Sequence, residues 1–357
     1  MKKDNTTDAL FSLIKAGLWE EDANISSLES VSLEWLLQQS EKQAVLGLLA
    51  AGLEHVKGVQ IPKDYTLQLV GQVLEIEKRN KVMNIFLSEI IEKMRTADIY
   101  TLLVKGQGVA QCYKRPLWRI SGDIDLLLSK VNYVKAKELL LPLSSSSFTE
   151  GQYSKHLALN IGSWCVELQG TLRSGLSSRV DKVIDDVQKD VIYSGSVRSW
   201  QNGKTQIFMP SANNDIFFVF VHFLKHFYKE GGANLRQICD WCRIIWTYKD
   251  SIDINLLNSR VSKAGLMSEW KAFAALAVDY LGMPKDAMPF YSDRSKWRRI
   301  AEKIAKLILN GTYKNKYLAV GSLIRIFPIN TLRFLPGILF EVNMMKANEW
   351  LSEKIKR

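Results

Sequence analysis

The stretch from Leu102 to Leu128 constrains the fold and chemistry of this 357-residue chain more than any other. An apolar run ends at Lys105, and a second apolar run follows a short basic segment. The second run reads as a strand that carries Asp123 and Asp125, so both carboxylates point to one face with their Cα atoms roughly 7 Å apart. Two carboxylates aimed at one spot, with basic residues upstream, can hold Mg²⁺ against a polyphosphate.

Three segments of this stretch occur at the spacing of a known family. Leu103 to Gly106 is similar to a Leu-Leu-Lys-Gly strand end, with valine in place of the second leucine. Tyr113 to Arg119 is similar to Tyr-x-x-Pro-x-x-Arg, and Gly122 to Leu127 to Gly-Asp-Ile-Asp-Leu-Leu. In this constellation the chain resembles the bacterial branch called the uncharacterised nucleotidyltransferase family, within the polymerase-beta nucleotidyltransferase superfamily. The acid pair alone is a weak signal, because Asp-x-Asp occurs by chance, but the whole constellation is a strong one.

The resemblance implies a third metal-binding carboxylate on a later strand. The family carries Val-Glu-Leu-His there, and this chain has Val-Glu-Leu-Gln from Val166 onward. Glu167 therefore matches the family's acid, whereas Gln169 replaces its histidine. Taken without the family, Glu167 is more typical of an edge-strand acid that faces water.

The turn that follows the first strand supplies the predicted phosphate contacts. A helix is predicted to begin at Gly106, and its first backbone N–H groups would face a phosphate. The family's serine or second glycine is absent from this turn, so Lys105 or the backbone must make that contact. Lys105 and Arg119 are predicted to neutralise phosphate oxygens, and Gly122 is assigned to the same site. For Arg119, a structural ion pair with one of the two strand aspartates is the alternative.

Two helices in the second half resemble the pair that the family places against its nucleotide cleft. His222 and His226 lie one turn apart on one helix face, and Arg236 follows in a Leu-Arg-x-x-x-Asp segment. The resemblance implies that these three residues contact the nucleotide. For the histidines, a core or cleft-lining role is favoured over direct catalysis. Together with Cys239 and Cys242 they also have a zinc-finger spacing in reverse order, so structural zinc is a further alternative. In a helix with apolar neighbours, the cysteines are more typical of small buried hydrophobes.

Hydrophobic periodicity divides the chain into three regions around this site. Residues 1–97 read as an N-terminal helical region, 98–210 as a mixed catalytic core, and 211–357 as a C-terminal helical domain. We therefore predict an α+β fold, in which a small mixed nucleotidyltransferase-type β-sheet is flanked by helices on both sides in sequence.

Individual elements can be predicted within these regions. Leu33 to Leu53 and Leu67 to Met94 each have helical spacing of apolar residues. Val191 to Met209 is predicted to be a hairpin with its turn at Asn202-Gly203, and we expect it to extend the same sheet. The apolar segment from Ile324 to Phe340, which includes two arginines, is expected to pack on the helical body. Membrane-surface binding is the alternative for that segment.

Composition excludes several classes of protein. The hydrophobic share of 47% and the charged share of 24% are those of a soluble globular protein. Four cysteines are too few for a disulfide framework, and no run of apolar residues is long enough for a transmembrane segment. No signal peptide is evident, so the cytoplasm is the predicted location.

The net charge of +11 is concentrated after residue 292, where 14 Lys and Arg face 5 Asp and Glu. A solvated helical face is the simpler explanation of this charge. We expect no specific nucleic-acid partner, because no recognition motif accompanies it.

These features predict a nucleotidyltransferase that uses two Mg²⁺ ions and an NTP as co-substrate. Asp123, Asp125 and Glu167 would hold the ions while an acceptor hydroxyl attacks the α-phosphorus and pyrophosphate leaves. The acceptor, a small molecule or a protein, cannot be read from the sequence, and neither can the NTP. The alternative is a degenerate module of the same fold that binds a nucleotide or a protein without chemistry, since the turn hydroxyl and the histidine are missing.

Overall fold

A computed structural model of the chain describes residues 5–25, 31–58, 60–145, 156–229, 232–310 and 316–339. The strands are β1 Leu102–Val104, β2 Ile124–Leu127, β3 His156–Ile161, β4 Trp164–Gln169, β5 Val197–Asn202 and β6 Thr205–Pro210. The helices are α1 Asn5–Trp19, α2 Leu33–Lys42, α3 Leu46–Glu54, α4 Lys63–Thr96, α5 Gly106–Ala110, α6 Lys130–Leu140, α7 Ser178–Tyr193, α8 Ala212–Lys229, α9 Leu235–Thr247, α10 Ile254–Ala264, α11 Met267–Asp279, α12 Ser295–Asn310 and α13 Lys316–Ile326. A further helix covers 328–339. The predicted α+β class is confirmed.

The central sheet is small and mixed, with the strand order β1-β2-β4-β3. β2 pairs antiparallel with β1 and parallel with β4, and β3 pairs antiparallel with β4. The parallel pairing places Asp125 directly beside Glu167. Cross-strand neighbours project from the same face of a sheet, so this register brings the two acids together.

Strand β2 forms the boundary between two hydrophobic cores. Ile124, Leu126 and Leu128 belong to a core that includes the second half of α4, whereas Leu127 belongs to the large core that includes α8 and α9. Side chains alternate faces along a strand. Asp125 therefore projects on the same side as Leu127, toward the C-terminal helices.

The predicted hairpin forms, but it does not extend the central sheet. β5 and β6 pair only with each other in the residues that the structure describes, with Asn202 opposite Thr205 at the turn. β6 lies beside β1 without joining its ladder. The hairpin also begins later than predicted, because Val191 to Tyr193 end the amphipathic helix α7. No element was predicted over most of that helix.

Two predicted helical spans differ in detail from the structure. Leu33 to Leu53 contains two helices rather than one, because the chain reverses at Ala44, whose φ is 55°. Leu67 to Met94 lies within α4, but not all of its apolar residues are buried: Val82 and Ile85 are 49% and 62% exposed. The opposite face of α4 supplies its buried residues, which are Leu69, Val73, Asn80, Met83, Leu87, Ile90, Ile91 and Met94.

The apolar segment near the C-terminus packs on the helical body as far as it is described. Ile326, Phe327, Phe334 and Ile338 are buried there, while Phe340 lies outside the described residues. Among the described helices, none has the length and apolarity needed to cross a bilayer.

Asn80 of α4 anchors the segment between β1 and β2, which leads to a first prediction. Its Nδ2 donates to the carbonyl oxygens of Leu117 (2.7 Å) and Arg119 (2.8 Å), and its Oδ1 accepts from Gln107 (2.9 Å). Asn80→Leu removes these three hydrogen bonds and leaves the Gln107 amide only the weak acceptor Met83 Sδ, so we expect the free energy of unfolding to fall by about 3 kcal/mol. Urea denaturation followed by circular dichroism measures this, with the exposed Gln68→Leu on the same helix as a control. A loss no larger than the control's would contradict the anchoring role.

Candidate metal and phosphate site

Three carboxylates from the ends of two neighbouring strands converge at one point. Asp123 immediately precedes β2, Asp125 lies within it, and Glu167 lies beside Asp125 on β4. One potential ligand atom from each lies within 4.8 Å of the other two, and in the described part of the chain this is the one such group of three or more acid, His or Cys side chains. A set of carboxylate oxygens at this separation fits a hard divalent cation such as Mg²⁺.

Asp125, which is 4% exposed, is held by two donors in addition to its acidic neighbours. Lys105 Nζ lies 2.7 Å from its Oδ1, and Gln169 Nε2 donates to the same oxygen at 2.5 Å. Gln169 Nε2 also lies 3.3 Å from Glu167 Oε2. The residue that replaces the family's histidine thus bridges the two acids with a neutral amide.

Lys105 reaches this position through a strained backbone. Its φ of 59° and ψ of −148° lie in a region that residues other than glycine rarely adopt. Such a conformation costs on the order of 1–3 kcal/mol and persists only where the surrounding structure enforces it. Here it directs the only cationic side chain of the turn onto Asp125.

Burial and charge move the pKa values of the paired acids in opposite directions. Burial raises the pKa of Asp125 well above its ordinary value; Lys105 lowers it in part, and the Glu167 carboxylate raises it further. Burial also acts to raise the pKa of Glu167, but hydrogen bonds to His156 and Asp125 outweigh this and lower the pKa. Without a bound cation, Glu167 is therefore more fully ionised than Asp125. A bound cation would favour the charged form of both carboxyl groups.

His156 belongs to this cluster, although no sequence motif singled it out. It is the first residue of β3, directly across from Gln169, and its Nε2 lies 2.8 Å from Glu167 Oε2. An imidazole is therefore present beside the acids, supplied by the neighbouring strand rather than by position 169. Only the β3–β4 register could have revealed it, and that register cannot be read from composition or spacing.

Helices α8 and α9 bring basic groups toward the same cluster. His222 Nε2 and His226 Nε2 are 3.1 Å apart, as their spacing predicted, and both side chains are half-buried. Arg236 Nη1 donates to the Ile120 carbonyl at 3.2 Å, and its buried Nε has no partner in the described residues. Burial lowers the pKa of the Arg236 guanidinium, while Asp123 is near enough to raise it in part. Arg236 therefore lies close to the acids without pairing with them.

His222 is held in its neutral form, which makes its effect on stability predictable. Burial lowers its pKa well below the ordinary value, and the positive charge of Lys105 lowers it further. Below pH about 6.5 the unfolded chain takes up a proton at this position that the fold excludes, so acid favours unfolding by up to about 1.4 kcal/mol per pH unit. We expect His222→Gln to lose less stability than the wild type between pH 7.5 and pH 5. Urea denaturation at pH 7.5 and at pH 5 tests this. If the variant and the wild type lose the same stability between these pH values, His222 is protonated in the folded protein.

Arg119 is engaged in an ion pair with Asp240 of α9. Its Nε and Nη2 donate to the two carboxylate oxygens of Asp240, each at 2.7 Å, and its Nη1 donates to Ser121 Oγ at 2.9 Å. Tyr113 Oη donates to Asp240 as well, at 2.7 Å. Arg119 is thus buried and paired with Asp240, so it could reach a phosphate only by leaving this ion pair, and phosphate binding stays a prediction. The predicted alternative was an ion pair with a strand aspartate, but the actual partner lies 121 residues away in α9.

The zinc alternative is not supported either. Cys239 and Cys242 are fully buried within α9 among apolar residues, and burial raises the pKa of both thiols. They do not form a metal-binding group with His222 and His226 in the described residues. The packing role that their apolar neighbours suggested accounts for both cysteines.

The glycines of the site have different surroundings. Gly106 has a φ of 44°, and a Cβ there would lie 3.4 Å from the Asp123 carbonyl oxygen, so the turn and β2 approach closely. Gly122 is exposed and has open space around it. The helix that begins at Gly106 is shorter than expected, since α5 ends at Ala110, and a single turn provides little helix dipole.

Taken together, Asp123 and Asp125, two residues apart, and Glu167 on the neighbouring strand form a group that could hold a metal ion, with Lys105 at the preceding turn. The model of the uncharacterised nucleotidyltransferase family matches residues 29–282, and the chain belongs to that family. The match spans the sheet, the acids and both helices that carry the histidines and Arg236. No curated protein and no solved structure matches the chain. Membership supports a transferase that acts on an NTP with a divalent metal, in agreement with the three acids.

Proposed function

We propose that this protein transfers an NMP from an NTP to a hydroxyl group of a small-molecule or protein acceptor. The acceptor oxygen forms a bond to the α-phosphorus, the bond from that phosphorus to the β-phosphate oxygen breaks, and pyrophosphate leaves. The observation that carries the proposal is the convergence of Asp123, Asp125 and Glu167 in a family of this type.

Asp123, Asp125 and Glu167 are the residues proposed to hold two Mg²⁺ ions. When bound, such ions neutralise phosphate charge and lower the pKa of a coordinated hydroxyl. Glu167, whose pKa is lowered overall against the effect of burial, is proposed to accept the hydroxyl proton. His156, 2.8 Å from its Oε2, orients that carboxylate.

The phosphate side of the site is proposed to lie toward α8 and α9. Lys105 and Arg236 supply positive charge there, and the backbone at Gly106 and Gly122 supplies N–H donors. His222 and His226 are proposed to line the nucleotide cleft; as a neutral imidazole, His222 would act as a hydrogen-bond partner, not as a counter-charge. Arg119 is proposed to act indirectly, by joining the segment before Gly122 to α9 through Asp240.

The degenerate, non-catalytic alternative has one observation in its favour. Asp125 Oδ1 already accepts from both Lys105 and Gln169, so a cation that binds this oxygen must displace them. A site fixed in that arrangement would bind a nucleotide or a protein but would not turn it over.

One experiment separates the two proposals. The full-length protein is incubated with Mg²⁺, a cell extract and each labelled NTP in turn; released pyrophosphate is measured, and mass spectrometry identifies any molecule that gains a nucleotide. Calorimetry with the same NTPs measures binding. Pyrophosphate release with a modified acceptor supports the transferase, whereas tight binding of an NTP without pyrophosphate supports the degenerate module.

A further inference from the structure

A second concave site lies in the C-terminal helical region. It is a cleft of about 750 Å³ between α11, α12, α13 and the helix over 328–339, with Arg179 of α7 at one side. None of its lining residues belongs to the acidic cluster or contacts it. Its function is therefore a separate question from the proposed transfer reaction.

Two guanidinium groups converge in this cleft. A Cβ built on Gly265 would lie 2.9 Å from Arg179 Nη1 and 2.9 Å from Arg333 Nη1, so these nitrogens are within 5.8 Å of each other, twice that distance. Neither arginine has a carboxylate partner in the described residues. Two like charges this close repel each other. An anion bound between them would attract both guanidinium groups and offset this repulsion.

Neutral oxygen atoms hold both arginines in this arrangement. Arg179 donates from Nε to the Lys263 carbonyl at 2.5 Å and from Nη2 to the Ser262 carbonyl at 2.9 Å. Arg333 Nη1 donates to Asn330 Oδ1 at 2.8 Å. Because these acceptors carry no full charge, they orient the guanidinium groups without neutralising them.

The rest of the cleft adds positive charge. Lys296, Arg299, Lys303 and Arg325 line it, and none of the four forms an ion pair in the described part of the chain. Lys306 also lines the cleft, but it is paired with Glu302 at 2.5 Å.

The second acid of the cleft offsets this charge only in part, because burial raises the pKa of Glu269 although the nearby Arg333 charge acts to lower it. Glu269 is fully buried, where its Oε1 accepts from Tyr228 at 2.9 Å and from Asn330 at 2.7 Å. Asn330 also donates to the Gly265 carbonyl at 2.9 Å, so Glu269 fixes the residue that in turn orients Arg333. Seven basic residues against two acids leave a strongly cationic cleft.

We infer that this cleft binds a small ligand that carries two or more phosphate groups. Paired guanidinium groups match phosphate oxygens by charge and by their forked geometry. The volume is in the range of small-molecule sites, and the cationic side chains surround a concavity instead of following an extended surface. The excess of basic residues after residue 292, which we ascribed to a solvated helical face, would then contribute to ligand binding.

Calorimetric titration of the full-length protein with inorganic tripolyphosphate, in EDTA so that no divalent metal is present, tests the inference. We expect one site whose affinity falls as salt is raised. Arg299→Gln with Lys303→Gln removes two exposed cleft charges without removing an anchoring contact, and should weaken binding about tenfold or more. Arg333→Gln should weaken it similarly. Lys285→Gln with Arg294→Gln removes two exposed charges outside the cleft and should change affinity less than about twofold.

Each other outcome would overturn the inference. Absence of binding to the wild type would remove the site, and equal weakening in the control pair would show a diffuse effect of net charge. Loss of binding in Lys105→Gln, with the cleft variants unaffected, would place tripolyphosphate beside the acidic cluster. Binding of duplex RNA or of anionic phospholipid vesicles that tripolyphosphate cannot displace would indicate a macromolecular partner instead.

Discussion

Replacing Asp125 with asparagine is expected to lower Mg²⁺-dependent release of pyrophosphate by roughly 10³-fold, the scale of losing a principal electrostatic group. The amide keeps the shape of the carboxylate and can still accept from Lys105 and Gln169, but it provides no negative charge for a cation. Asp123→Asn should have an effect of the same order. The measurement is pyrophosphate release with the NTP and acceptor found by the labelling experiment.

Folding of these variants must be checked in parallel. Because burial disfavours the charged form of Asp125, we expect Asp125→Asn to unfold at a urea concentration no lower than the wild type. Asp64→Asn, at the exposed first turn of α4, controls for the loss of an acid and should keep full activity. Turnover within threefold of the wild type in Asp125→Asn would remove the mechanism.

The largest loss of stability is expected from Asp240→Asn. Arg119 and Asp240 form a bidentate ion pair in which both side chains are almost completely buried. The substitution leaves a buried guanidinium without a counter-charge, so the free energy of unfolding should fall by about 3–5 kcal/mol. Urea denaturation at pH 7 measures this change.

Two further variants distinguish loss of the ion pair from general disruption. Tyr113→Phe removes one hydrogen bond to Asp240 and should cost only about 1 kcal/mol. Arg119→Met combined with Asp240→Leu removes both charges and should recover most of the stability lost in Asp240→Asn. If Asp240→Asn costs less than the tyrosine variant, the pair does not hold the segment before β2 against α9.

The sequence predicted those features that depend on local pattern. The Asp-x-Asp spacing placed two acids on one face of a strand, and apolar periodicity predicted helices on both sides of the sheet. The resemblance singled out Glu167, although only the parallel register of β2 and β4 explains why it lies beside Asp125. The fold class was therefore predictable, and the geometry of the acids was predictable only through the family.

The remaining features depend on pairings between distant residues. The partner of Arg119 lies 121 residues away, and His156 joins the acids only through the register of β3 with β4. The hairpin satisfied the local turn signal at Asn202-Gly203, but local signals do not specify which sheet a hairpin joins. Helix α7 was not predicted, although Ser177 caps it and its valines lie along one buried face.

The position of β2 between two cores bears on any attempt to shorten the protein. The division of the sequence into regions suggests that a fragment beginning near residue 98 could fold alone. Such a fragment would lack the second half of α4, which packs against Ile124, Leu126 and Leu128. The side of β2 that faces α4 would then be exposed to solvent, and the segment that carries both aspartates would lose the packing that supports it. Truncation for crystallisation or deletion mapping should accordingly retain α4, and also α1 to α3, whose apolar residues belong to the large core.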